Sequence, residues 1–136
     1  MGGISEVPNL KVTELMTRYV LMAEPEMSVL DSMRLMLEKN FRCVFIVRME
    51  PYKELGLVTR FDIMKKVIGK GLNPLKVSIA EIMEKKFLSI APNKTAREAS
   101  RIMGENQVCH LAVKSEGKII GVISSSDIFE EFVKRM

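Results

Sequence analysis

Two stretches decide the fold: GLVTRFDIMKKV at Gly56–Val67 and GVISSSDIFEEF at Gly121–Phe132. Each runs glycine, two apolar residues, a hydroxyl residue, two variable positions and Asp-Ile, then apolar residues at helical spacing. That pattern predicts a strand end feeding a helix. The helix opens near Asp62 or Asp127 and runs through Ile63, Met64, Val67 and Ile68, or through Ile128, Phe129, Phe132 and Val133. The glycine permits a close backbone approach or an unusual turn. Thr59, Ser124, Asp62 and Asp127 are all residue types that cap helix N-termini. They also suit a second chemistry. An ionised aspartate carries acceptors only, and its two oxygens match the two hydroxyls of a ribose diol. The helix N-terminus and the nearby hydroxyl supply donors for a phosphate. On residue type alone, capping and ligand holding both stand.

Working outward, the whole chain repeats. At an offset of 67, Val12-Thr13-Glu14-Leu15-Met16 falls on Ile79-Ala80-Glu81-Ile82-Met83, Pro25 on Pro92, Ser28 on Thr95, Asp31 on Glu98 and Met36 on Met103. The offset then drops to 65, where Gly56 meets Gly121 and Asp62 meets Asp127. The difference is expected in the hairpin turn, RMEPYKEL against SEGKI, where a change of length is cheap. Each copy reads as a short helical turn (TELM, AEIM), a brief strand (Val20–Ala23, Phe87–Ile90), a helix, two strands and a last helix. The middle helix starts at Ser28–Asp31 or Thr95–Glu98, which match the capping-box pattern. The strands are expected at Cys43–Val47 with Leu57-Val58, and at His110–Val113 with Val122-Ile123. Gly69-Lys70-Gly71 ends the first copy, and residues 70–78 connect it to the second. A copy of about 60 residues is marginal alone. The expected fold class is therefore α/β, with two βαββα repeats, 1–70 and 71–136, packed as a pseudo-twofold pair in one integrated module.

Composition narrows the function classes. The chain has 136 residues, and 47% hydrophobic with 28% charged residues excludes a disordered chain. No apolar run approaches the roughly 20 residues of a membrane-spanning helix, and the opening MGGISEVPNLKV lacks the regions of a signal peptide. A cytoplasmic location without membrane contact is expected. Cys43 and Cys109 are read as reduced thiols at or near the core, and with His110 they are too few for a metal site. The eleven methionines read as core or interface filling. Net charge is +4, and the excess is spread: residues 1–68 hold 10 basic and 9 acidic side chains, residues 69–136 hold 11 and 8. That spread lacks the clustered stripe of a nucleic-acid surface, yet a mildly positive surface favours anionic small ligands. No Ser-His-Asp set, zinc spacing or Walker loop appears, so no enzyme is expected.

The paired units resemble the cystathionine-β-synthase-type domain, or CBS domain. The resemblance rests on VTELMTRYVLMAEPEMSVLDSMRLM with GLVTRFDI, and on IAEIMEKKFLSIAPNKTAREASRIM with GVISSSDI, and it covers Val12 to Val133. It implies a tandem pair, the Bateman module, with a cleft for each repeat that combines the Asp phrase of one repeat with strand residues of the other. Such pairs bind AMP, ADP, ATP or S-adenosyl compounds, regulate rather than catalyse, and associate into disc-shaped homodimers. By the same resemblance, a first site uses Ser124, Ser126 and Asp127, with His110 near the phosphates and Tyr19, Val20, Phe41 and Arg42 about the adenine. A second uses Thr59 and Asp62, with Arg42 or Cys43 near the phosphates and Lys86, Phe87 and Val108 about the base. The second carries Phe61 where the first has Ser126, and ranks lower. The family's frequent Leu-Pro-Val in the second strand is replaced here by Val44-Phe45-Ile46 and Leu111-Ala112-Val113. His110 also reads as a half-buried strand residue and Arg42 as a helix-end cation.

The leading expectation is a stand-alone regulatory module that reports adenylate status to an unidentified partner protein, with no catalytic cofactor. The alternatives are a nucleic-acid-binding regulator, suggested by a pI near 9.1, and a structural interaction module whose clefts are filled by side chains.

Overall fold

A computed structural model describes residues 9–136; the reading of the opening residues as free of a leader falls largely outside them. The chain forms two compact units, Val20–Phe87 and a second made of Leu88–Met136 with residues 9–19. Each holds a mixed three-stranded sheet with helices against it.

In the first unit β1 (Met22–Ala23), β2 (Cys43–Met49) and β3 (Tyr52–Thr59) lie in that order. β1 runs parallel to β2 with Met22 opposite Phe45; β2 and β3 are antiparallel, with Cys43 opposite Thr59. The run Cys43–Val47 is buried throughout, as a central strand covered on both faces requires. Val44 and Ile46 join Ala23, Val29, Met36, Val58, Ile63 and Val67 in one core. Phe45 points the other way and meets the edge of Phe87 at 5.5 Å between centroids. Helix α2 (Val29–Lys39) links β1 to β2. Ser28 Oγ accepts from the Asp31 amide at 3.1 Å, and Asn40 closes the helix at φ 58°.

The second unit repeats this plan with β4 (Ser89–Ile90), α4 (Ala96–Asn106), β5 (His110–Ser115), β6 (Lys118–Ser124) and α5 (Ser125–Arg135). Thr95 caps α4, and Gln107 ends it in the left-handed region at φ 55°. Leu111, Val113, Ile123, Ile128, Ala99 and Met103 fill its core.

Unit and sequence repeat are offset by one short segment. The leading turn α1 (Val12–Leu15) contributes Val12, Leu15 and Met16 to the core of β4–β6. Its counterpart, the 3-10 turn Ile79–Glu81, gives Ile79, with Ile82 just after it, to the core of β1–β3. Each repeat therefore lends its first element to the other repeat's sheet. The two phrase glycines receive these segments. Thr17 exchanges backbone hydrogen bonds with Val122 at 2.8 and 3.0 Å, and Glu84 does so with Leu57 at 2.8 and 3.0 Å. A Cβ on Gly121 would stand 2.7 Å from the Thr17 carbonyl oxygen, and one on Gly56 would stand 2.7 Å from that of Glu84. Of the two uses open to these glycines, close approach is the one realised.

Other expectations shift in detail. The opening strands are two residues each, shorter than Val20–Ala23 and Phe87–Ile90. The two-residue length difference does not enlarge a turn. Both hairpins turn over two residues, between Met49 and Tyr52 and between Ser115 and Lys118. After a bulge at the same place in each ladder, the first hairpin carries three pairs and the second carries two. Adding one residue to each strand keeps a turn whose geometry the strand twist fixes. The last helix of the first repeat is α3 (Arg60–Ile63) continued by a π-helical turn, Met64–Ile68, with Gly69 N–H on Met64 O at 2.7 Å. Gly71, at φ 69°, completes the expected stop.

Cys43 is buried, but Cys109 is exposed, contrary to the placing of both thiols at or near the core. It sits in the loop just before β5, not in the strand. Burial pushes the Cys43 thiol up to about 12. We expect DTNB to titrate one thiol in the native protein and two in denaturant. Two fast native thiols would contradict this burial. Because the folded thiol keeps its proton while the unfolded one ionises, Cys43 stabilises the fold below about pH 9 and loses that contribution as pH rises towards 12.

Candidate functional site

In both repeats the central strand begins opposite the end of the third strand, and the Asp phrase turns from strand to helix there. In the second unit His110 pairs with Ser124, and Ser125 N–H donates to Cys109 O at 2.9 Å. Ser124 Oγ accepts from the Asp127 amide at 3.1 Å, while Asp127 Oδ2 accepts from the Ser124 amide at 3.0 Å. This reciprocal capping box fixes the carboxylate at the N-terminus of α5. His110, Ser124 and Asp127 are half-buried, and Ser125 and Ser126 are exposed. A carboxylate has about four lone-pair positions, so the bond to Ser124 leaves acceptor capacity on Asp127. Tyr19 belongs to this unit and is 81% exposed. Val108, also here, is exposed just past the end of α4.

In the first unit Cys43 pairs with Thr59, and Arg42 O accepts from the Arg60 amide at 3.2 Å. Thr59 Oγ1 accepts from the Asp62 amide at 3.1 Å, and Asp62 Oδ2 accepts from the Thr59 amide and hydroxyl at 2.9 and 3.0 Å. Asp62 is only 6% exposed. Arg42 and Lys86 are exposed; Val20, Phe41 and Phe87 are half-buried. Cys43, a candidate phosphate neighbour, is buried and neutral over the physiological pH range.

Three residues of this unit escaped the sequence reading. The Arg60 guanidinium donates to Phe41 O at 2.8 Å and to Met36 O at 3.2 Å, placing a cation on the C-terminal carbonyls of α2. Lys66 Nζ donates to Ile82 O and to Glu84 Oε1, each at 2.8 Å, and lies 3.6 Å from Asp62 Oδ1. Burial lowers the Lys66 ammonium, but the hydrogen bond to Glu84 and the charge of Asp62 outweigh it and leave it raised. The hydrogen bond from Lys66 holds the Glu84 carboxyl below its ordinary value. The available signal was the repeat itself: at the matching positions stand Ser125, Glu131 and Thr17.

Among the described residues no group of three or more His, Cys, Asp or Glu side chains is placed to hold a metal ion. No described helix is long and apolar enough to cross a membrane. Several large apolar side chains face outwards. Leu37, Met64 and Ile68 line an open groove with Met33, Met36, Ile63 and Arg60. Phe129 and Val133, at the positions matching Met64 and Ile68, are 73% and 66% exposed.

A family model described as the CBS domain matches residues 12–69 and 79–134. The chain is 33% identical over 128 residues to Uncharacterized protein MJ0450 of Methanocaldococcus jannaschii, covering 93% of this chain and 67% of that protein. It is similar to the crystal structure of an uncharacterized conserved protein from Pyrococcus horikoshii, with a TM-score of 0.83, 28% identity, and 90% and 91% of the two chains covered. It is also similar to the hexameric CBS-CP12 protein from bloom-forming cyanobacteria, with a TM-score of 0.83, 30% identity, and 92% and 73% covered.

Proposed function

This chain belongs to the CBS-domain family as a tandem of two repeats, and from that premise we propose a non-catalytic regulatory module of the cytoplasm. It binds an adenosine-containing ligand (AMP, ADP, ATP or an S-adenosyl compound) and signals to a partner protein. The observation that carries this reading is the second copy of the phrase. Asp127 is fixed by its capping box yet half-buried, beside exposed Ser125 and Ser126 and next to the His110–Ser124 pair. Its free acceptor positions suit the 2′ and 3′ hydroxyls of a ribose. The α5 N-terminus, the serine hydroxyls and His110 suit a phosphate. A ligand of this kind acts on a partner only through unequal affinity for two arrangements of the module. Calorimetric titration with AMP tests the reading. We expect saturable uptake with Kd of about micromolar order, a range suited to reversible sensing. No heat with AMP, ADP, ATP or S-adenosylmethionine overturns it.

The module also forms a homodimer in this reading. Exposed apolar side chains recur at matching places, Met64 and Ile68 in one repeat and Phe129 and Val133 in the other, and such patches mark association surfaces. The similar cyanobacterial protein is described as hexameric. Sedimentation is expected to give a dimer for the natural chain and a monomer for the Met64→Lys, Phe129→Lys double variant. A natural chain that sediments as a monomer excludes self-association.

A further inference from the structure

The two copies of the phrase do not present their carboxylates alike. Asp62 is buried, its Oδ2 accepts from the Thr59 amide and hydroxyl, and its Oδ1 faces Lys66 at 3.6 Å. Lys66 donates to Ile82 O and Glu84 Oε1, each at 2.8 Å, and these two bonds hold its charge beside Asp62 Oδ1. In the second copy neither partner exists. Glu131 stands in place of Lys66 and Thr17 in place of Glu84, and Glu131 is bound by Arg135 at 2.9 Å. Asp127 is half-buried instead of buried.

A diol needs two acceptor positions on one carboxylate. At Asp62 one oxygen already accepts twice from Thr59, and the other is buried beside Lys66, so a ribose would have to push Lys66 aside to reach the carboxylate. Moving the lysine also pulls a half-buried ammonium off Ile82 O and Glu84 Oε1, which is costly. We propose that Lys66 and Glu84 convert the Asp62 phrase into a structural latch, so that each chain binds one adenylate, through the Asp127 phrase. The latch ties the Ile82–Glu84 segment, on the edge of β3, to the helix that follows β3. Lys66 is a positioning residue here, and neither it nor Asp62 touches ligand. The inference rests on the adenosyl-ligand reading above.

Two measurements on the full chain test it: calorimetric titration with AMP, and thermal unfolding without ligand. The natural chain is expected to bind one AMP per chain. Asp62→Asn and Lys66→Met should lower the ligand-free melting temperature while leaving AMP affinity within about twofold and the stoichiometry at one. Asp127→Asn should do the reverse, weakening AMP by more than about tenfold with little change in melting. Two AMP per chain, or a loss in Asp62→Asn as large as in Asp127→Asn, overturns the latch and leaves the adenylate reading intact. No AMP uptake by the natural chain overturns both. The stoichiometry is read on the unaltered protein, so it decides the matter even where a variant fails to fold.

Discussion

Gly121→Ala is expected to destabilise the protein by about 2–4 kcal/mol, although it adds a single methyl group. The new Cβ would lie 2.7 Å from Thr17 O and 3.1 Å from Met16 Sδ. The sulfur sits on a flexible side chain and can retreat. The carbonyl cannot, because it accepts from Val122 N–H at 3.0 Å while Thr17 N–H donates back at 2.8 Å. Overpacking of this kind costs about 1–3 kcal/mol, and each backbone hydrogen bond lost adds about 1 kcal/mol. For a chain of this size the sum lowers Tm by roughly 10 °C. Gly104→Ala is the control with the opposite sign. Gly104 lies exposed within α4 with open space around its Cβ direction, so alanine should stabilise by up to about 1 kcal/mol through helix propensity and a less flexible unfolded chain. Equal melting temperatures for the two alanine variants would show that the bridge from Thr17 is not what the glycine serves.

The second large effect falls on affinity. In Asp127→Asn the side-chain carbonyl can still accept from the Ser124 amide, so the cap at α5 survives and stability should change by under about 1 kcal/mol. The amide that replaces the second oxygen donates where the ribose also donates, and the negative charge is gone. Hydrogen bonds to a charged group are worth about 1.5–3 kcal/mol each. Losing one and weakening the other should raise the AMP Kd by roughly 30- to 1,000-fold. Replacing AMP with its 2′-deoxy analogue on the unaltered chain should cost part of the same energy from the other side of the bond. Unchanged AMP affinity in Asp127→Asn would remove the carboxylate from the account of binding.

Much of this was legible because it is local. Ser28 with Asp31, Thr95 with Glu98, Thr59 with Asp62 and Ser124 with Asp127 sit three residues apart, and all four pairs make the expected amide-to-hydroxyl bonds. The central strands were visible as apolar runs, because burial on both faces leaves no alternation to misread. What lay beyond reach depends on distant partners. Arg60 reaches carbonyls 19 and 24 residues back, and Lys66 reaches one 16 residues on. No local pattern encodes those bonds. Leu37, Met64, Ile68, Phe129 and Val133 fit helical spacing yet face outwards, because spacing marks an apolar face without saying what covers it. The capping boxes also show why residue type alone left two roles open for the aspartates. A carboxylate that caps is not thereby spent, and it is the neighbours, Lys66 beside Asp62 and Glu131 after Asp127, that separate the two copies.

The exchange of leading segments sets an order of events during synthesis. Residues 20–87 are contiguous, so that unit has all its own strand partners once Phe87 has been made. The stretch around Val12–Thr17 is made before it but finds its strand partner at Val122, and it must wait until that strand has been made. Loss of Val12–Thr17 would therefore injure the unit built on Leu88–Met136 and leave Val20–Phe87 with its own contacts.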